Sequence, residues 1–256
     1  MADNESPSLE RDPKLPSIGI VCALNIEIQP FLDRCLLFKT DKGNGFKYHG
    51  CEFRDQRICV AEGGAGMSRA RQVTQGIIDA FQPRWILSVG LSGALVDGIS
   101  SGDIVVGTGL TDERGEASLG VSLKFPADPA RGLHAGKLCT VDHIVREPRE
   151  KRELAATTGA VAVDMESLAV AKVCRDRQTR FLAIRAISDD VNTELPREVT
   201  AILGPKGTIR AGALVGSILK RPSSVKDLWA MREQAVVAAE HLSKFLGGVI
   251  EQLDER

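Results

Sequence analysis

Uninterrupted apolar length is scarce in this 256-residue sequence. No stretch reaches the roughly 18 residues that a membrane-spanning helix needs. The N-terminus, MADNESPSLERDPKLP, holds no apolar core of signal-peptide length. The expectation is therefore a cytoplasmic protein with no membrane span. A dominant charge is missing as well: 33 basic residues against 34 acidic ones leave a formal net charge of -1, so the chain as a whole has no field for nucleic acid or an anionic membrane. A small uncharged ligand is easier to accommodate. The cysteines (Cys22, Cys35, Cys51, Cys59, Cys139, Cys174) include no CxxC pair, and several lie in apolar runs, which reads as reduced, mostly buried thiols. Four separated histidines give no support to a metal cluster, and no metal is expected.

What is present is core-forming material: 43% of residues are hydrophobic, enough to bury a sizeable core. Residues 1–16 are polar and contain Pro7, Pro13 and Pro16, so they read as a loosely attached tail. Residues 17–256 read as one domain. Short apolar runs recur from Ser17 onward, SIGIVCA (17–23), RICVAEGG (57–64), RWILSVG (84–90), GDIVVGT (102–108), GAVAVD (159–164) and RFLAIRAIS (180–188), and their β-branched content suits strands buried on both faces. Between them, Val73, Ile77, Ile78 and Phe81 form one apolar helical face, and Met165, Leu168, Ala169 and Val173 another. Strand alternating with amphipathic helix predicts a three-layer α/β domain around a parallel or mixed sheet. The C-terminal third reads as a loop through Pro196 and Pro205, a short helix near 210–219, and a long helix from about 224. Leu228, Met231, Ala235, Ala238, Leu242, Phe245 and Val249 form the predicted buried face of that last helix.

Several polar residues stand at the ends of these strands. Gly63, Gly64 and Gly66 lie between a strand and a helix, either as a tight turn or as a place where backbone approaches a ligand; the spacing is not a dinucleotide fingerprint. GLSGAL (90–95) reads as a second such turn. Glu27, Asp164, Glu166 and Asp189 each have a structural explanation as helix-start or turn residues. All four nevertheless follow buried strands, and in an open α/β sheet that brings them to the ligand-binding edge. Carboxylates with one arginine suit a cationic transition state. Cleavage of a ribosyl C–N bond has one, because the sugar becomes oxocarbenium-like while the departing base takes a proton.

The segments IGIVCALNIEI (18–28), GGAGMSRA (63–70), GLSGALVDGISSGDIVVG (90–107), AVAVDMESLAVAKVC (160–174) and FLAIRAISDD (181–190) resemble, in this order, the purine nucleoside phosphorylase and 5'-methylthioadenosine/S-adenosylhomocysteine nucleosidase superfamily. The resemblance implies an αβα sandwich around a central twisted mixed sheet, and cleavage of a purine N-glycosidic bond. It casts Asp189 as the acid that protonates the purine at N7, with Ser188 as its hydrogen-bonding companion. Glu166 becomes the carboxylate that holds the ribose hydroxyls and stays ionised with help from Arg185, with Met165 packed on the sugar. Glu27 takes the place of the base that activates water. Ile144 and Val145 fall where base-stacking and backbone contacts to adenine are made, and Gly64, Ala65, Leu91, Ser92 and Gly93 line the glycine-rich segments of the site.

Phosphorylases of the superfamily carry an arginine in an N-terminal glycine-aspartate-proline motif. Here that segment reads ALNIEI, and Glu27 favours water over phosphate. Hydrolysis of a 5'-modified adenosine, with no cofactor, is the first expectation. Phosphorolysis, with phosphate as co-substrate, is the second: LGPKGTIRAGALVGSILKRPSSVKDLWAM (203–231) is similar to hopanoid-associated phosphorylases acting on adenosylhopane. A nucleoside-binding protein without catalysis is the third. The resemblance also implies a homo-oligomer.

Overall fold

A computed structural model describes residues 15–121, 126–197, 199 and 223–254, with backbone alone over 223–230 and at 254. The expected tail lies almost wholly outside the described residues, as do the helix near 210–219 and the side chain of Leu228. Of residues 203–231, expected to resemble hopanoid-associated phosphorylases, only the part that starts the last helix lies within the described residues.

The centre of the molecule is β1 (Ile18–Cys22), whose five residues are all buried. It lies between β4 (Gln56–Glu62) and β5 (Trp85–Ala94), parallel to both. On its other edge β5 pairs in parallel with β10 (Arg180–Asp189), which turns antiparallel to β6 (Ile104–Asp112). From β6 the sheet runs through β8 (Leu133–Thr140) to β9 (Ala162–Asp164), which returns to β5 at Gly93 and Ala94. Strands β5, β10, β6, β8 and β9 thus close a ring, and short β7 (Ser118–Gly120) adds to β6. Beyond β4, β3 (Phe46–Phe53) and β2 (Leu36–Gly43) extend the sheet as an antiparallel hairpin.

Helices cover both faces. α2 (Met67–Phe81) and α4 (Ser167–Asp176) pack together on one, inserting Val73, Ile77, Ile78, Ala169 and Val173 against Val21 and Ile86. On the other, α1 (Asn25–Leu32) lies beside α5 (Ser223–Asp254), where Phe31, Ala238, Leu242, Leu246 and Val249 meet Ile20, Leu87 and Ile184. α3 (Pro148–Thr158) sits over the β8–β9 end. The expected layering and mixed sheet are therefore present, as are the six strands and the two helices after the glycine-rich and VDMES segments. The six cysteines are free and five are buried. No helix of the described residues is long and apolar enough to cross a membrane.

Two expectations change. GLSGAL is not a turn: Gly90–Ala94 continues β5, because β10 stays paired to it through Gly93. The hairpin β2–β3, with β7, β8 and α3, was not anticipated. β2 is exposed along its whole length, and α3 (PREKRELAATT) shows almost no apolar face. The hairpin did carry a signal, since Asn44 and Gly45 both have positive φ, as a two-residue turn closed by Asn-Gly requires.

Candidate active site

Along one edge, β5 pairs with β1 only as far as Ser88 and meets β9 only from Gly93. Between these points the sheet splays, as open α/β sheets do where ligands bind. Glu27 enters the gap. Its Oε1 accepts the N–H of Leu91 at 3.1 Å, while Oε2 accepts those of Ala23 at 2.9 Å and Leu24 at 2.8 Å. Burial pushes the Glu27 carboxyl up, against the pull of these N–H groups and of Arg185. A buried carboxyl with raised proton affinity is suited to take a proton.

Gly90 makes this approach possible, because a Cβ there would stand 3.0 Å from Glu27 Oε1. Gly90→Ala is expected to displace the carboxylate and lower turnover about 10–100-fold. Unchanged kcat in a folded Gly90→Ala protein would refute the dependence on Glu27 placement.

The far end of the same segment holds Asp189. A register shift between Ile187 and Asp189 leaves Ser188 as an extra residue in β10, and such a bulge re-aims the side chains around it. Asp189 lies against Gly93, where a Cβ would be 3.0 Å from Oδ2. Ser188 Oγ donates to Asp189 Oδ1 at 2.5 Å and also reaches the carbonyl of Ser92 at 3.3 Å. Ser92 is anchored by its own hydroxyl on the Val163 carbonyl, 2.5 Å away. Asp190 is turned elsewhere: its Oδ1 accepts the N–H groups of Asn192 and Thr193 and the Thr193 hydroxyl. Partial burial opposes ionisation, but the Thr193 and Asn192 bonds hold the Asp190 carboxyl below its usual range.

Glu166 sits at the start of α4, and its Oε1 accepts the N–H of Gly66 at 2.7 Å. Gly66 can present that N–H because it adopts φ 103°, a conformation that glycine tolerates. Glu166 and Arg185 share a narrow crevice with Cys22, Ala23 and Gly64. Arg185, 1% exposed, gives Nε to Asp164 Oδ2 at 2.8 Å and Nη2 to Ser88 and Ser167 Oγ, both at 2.9 Å. Asp164 Oδ1 takes the Thr140 hydroxyl and the N–H groups of Glu166 and Ser167, fixing the start of α4.

This network corrects the expectation that Arg185 keeps Glu166 ionised. The hydrogen bonds of the guanidinium go to Asp164, the two serines and the Ile184 carbonyl, and not to Glu166. Burial, then the Asp164 charge, push Glu166 up to about 8; Arg185 opposes and Glu27 adds to the rise. Glu166 therefore favours its protonated form at neutral pH. It can donate to one sugar oxygen while accepting from another.

The other expected residues fall around this frame. Gly64 donates its N–H to the Ala23 carbonyl at 2.8 Å, and Ala65 and Met165 are half-buried beside Gly64 and Glu166. Leu91 packs on the core from the gap. Ile144 is half-buried. Val145 is buried among Leu95, Val141 and Val163, so its main chain is what it can offer a ligand. Among the described residues, metal-capable side chains converge only at exposed Glu113, Asp142 and His143. Lys151 was missed. It is wholly buried and bonded to Asp189, yet in the sequence it is one cation within REKRE.

The family model described as the phosphorylase superfamily matches residues 17–220, most of the chain and every element that builds this site. The chain belongs to the phosphorylase superfamily. Within the superfamily it is similar to the 5'-methylthioadenosine/S-adenosylhomocysteine nucleosidase of Thermotoga maritima, at 30% identity over 195 residues, 71% of this chain and 88% of that protein. Solved structures share the fold. The Helicobacter pylori nucleosidase of that name, with butyl-thio-DADMe-Immucillin-A, gives a TM-score of 0.69 at 21% identity, covering 93% of this chain and 99% of its own. Futalosine hydrolase of Helicobacter pylori gives 0.69 at 20% identity, covering 93% and 98%. Proteins named for different substrates thus share this fold.

Proposed function

We propose that this enzyme hydrolyses the N-glycosidic bond of a 5'-modified adenosine and releases adenine. The observation that carries the reading is Glu27, a buried carboxyl of raised proton affinity held by three backbone N–H groups in the open edge of β5. Phosphate in place of the attacking water would meet Glu27, which is ionised when it acts as the base. The cations nearest the glycine loop are committed, Arg185 to Asp164, and Arg69 to the carbonyls of Gly63 and Gly45. Water fits such a site and phosphate does not.

In this reading Asp189 gives a proton to purine N7, so the base leaves neutral, while Ser188 steadies the carboxyl. Glu27 takes a proton from water as its oxygen bonds to the sugar anomeric carbon and the bond to the base breaks. Gly90 and Gly93 make room for the two carboxyls at the two ends of the open segment of β5. Glu166 binds the ribose hydroxyls, Met165 packs on the sugar, and Ile144 with the Val145 main chain meets adenine. The names of the similar proteins support methylthioadenosine and S-adenosylhomocysteine as first substrates. No cofactor enters this scheme. The family resemblance supports a single domain over residues 17–256, working as a homo-oligomer in the cytoplasm.

Adenine release from methylthioadenosine, S-adenosylhomocysteine and 5'-deoxyadenosine, with and without phosphate, tests the proposal. The expected result is phosphate-independent release with a free sugar. Sugar 1-phosphate formed only with phosphate would establish phosphorolysis. Tight binding without base release would leave a nucleoside-binding protein.

A further inference from the structure

The buried cation that the reaction scheme does not use is Lys151, on α3. Its side chain is 0% exposed. Nζ donates to Asp189 Oδ2 at 2.6 Å, to the Asp190 carbonyl at 2.7 Å and to the Thr193 carbonyl at 2.9 Å. Three acceptors meet the three protons of an ammonium, so the cation is fully satisfied in place. The same side of the molecule ties down the chain beyond β10 at two more points: Arg152 donates to Asn192 Oδ1 at 2.6 Å, and Arg146 to the Leu195 carbonyl at 3.0 Å.

These bonds give Asp189 a fixed geometry. Ser188 holds Oδ1, Lys151 holds Oδ2, and the turn that follows is anchored to the same ammonium. Burying a lysine is costly unless a counter-charge repays it, and an apolar side chain in α3 would hold helix to strand without that cost. A fixed cation beside the acid acts on the chemical step. As Asp189 loses its proton, negative charge develops on its carboxyl, and a charge already in position stabilises it without reorganisation.

We propose that Lys151 is a positioning residue for glycosidic cleavage, holding Asp189 in register and stabilising the carboxylate formed when its proton passes to the purine. The inference rests on the reading of Asp189 as the acid. Asp189 takes up a proton from solvent as the purine binds; in the step its O–H bond breaks and the N7–H bond forms, the electron pair of the glycosidic bond goes to the purine, and the carboxylate is left paired with Lys151, which keeps its three protons. The other charged groups around Asp189 are Asp190, whose carboxylate is engaged by Asn192 and Thr193, and Arg152, engaged by Asn192.

The test is kcat and KM for methylthioadenosine, by adenine release across pH, in Lys151→Gln, Lys151→Arg and Asp189→Asn, with circular dichroism to confirm folding. Lys151→Gln should lose about 100-fold in kcat while KM moves less than about threefold. Lys151→Arg, which keeps the charge, should recover at least about tenfold of that loss with KM unchanged, which restored packing alone would not give. If Lys151→Gln does not fold, Lys151→Arg carries the test: activity as low as in Asp189→Asn overturns the proposal. Turnover by folded Lys151→Gln near the original, with Asp189→Asn inactive, overturns this inference alone. Wild-type turnover by Asp189→Asn overturns it together with the acid assignment.

Discussion

Replacing Asp189 by asparagine is expected to lower adenine release by about 10²–10⁴-fold, the usual contribution of a positioned general acid. The amide keeps the shape of the side chain but has no acidic proton for N7. It also removes the counter-charge of Lys151, which has no exposure to water. Breaking a buried pair from one side costs about 3–5 kcal/mol in general, and the Asp190 and Thr193 carbonyls soften that here. Asp189→Asn should therefore melt at a lower temperature as well as turn over slowly. Asp190→Asn gives the contrast. The bonds of Asp190 are local to its own turn and an amide oxygen can keep them, so activity should stay within about threefold of the original. Adenine release and thermal melts on the two variants decide the matter; equal losses in both would show that the pair acts as a unit.

Glu166→Gln should abolish efficient turnover and yet stabilise the protein without ligand above neutral pH. The folded protein holds the Glu166 proton up to about pH 8, whereas the unfolded chain releases it near the ordinary carboxyl value of 4.5. A folded state that binds the proton more tightly is favoured at low pH. That advantage is present in full below about 4.5 and is lost as pH rises to about 8. At about 1.4 kcal/mol per pH unit, the loss across the window is roughly 3–5 kcal/mol. Glutamine still accepts the Gly66 N–H and carries no charge near Asp164 and Glu27. Denaturation curves for the two proteins should coincide near pH 4 and separate progressively up to pH 8, glutamine being the more stable. Parallel curves across this range would mean that Glu166 titrates normally.

Glu166→Gln exposes a conflict between stability and function. Asp164 and Glu27 lie close enough to raise the proton affinity of Glu166, and Arg185 is the cation paired with Asp164 among them. A fold selected for stability alone would not gather these charges. At a site for a sugar that becomes cationic, the same gathering is an asset.

Much of the fold was legible because its central strands are apolar on both faces. IGIVC, WILSV and FLAIRAI can only be interior strands, and the 3.6-residue spacing after GGAGMSRA and VDMES can only be helices laid on them. The parts that escaped notice bury little. β2 is exposed throughout, and α3 uses Lys151 and Thr158 as its buried residues, so hydrophobic periodicity says nothing about either. GLSGA was misjudged as a turn because glycine is a turn residue by propensity. Its place in β5 comes from the pairing with β10 and from the room that Glu27 and Asp189 need.

The order of strands, the carboxylates at their ends and the lack of any phosphate-binding arginine beside Glu27 were determined by the sequence alone, since each is a property of a short local segment. Tertiary structure decided which charges meet. Arg185 stands about twenty residues after both Asp164 and Glu166 in the sequence, and it pairs with Asp164, leaving Glu166 to hold a proton at neutral pH. Lys151 looks like any solvated cation in a charged run until α3 folds over the end of β10 and encloses it. Proton affinity and ion pairing depend on burial and on distances between segments remote in the chain, and only the folded molecule contains those distances.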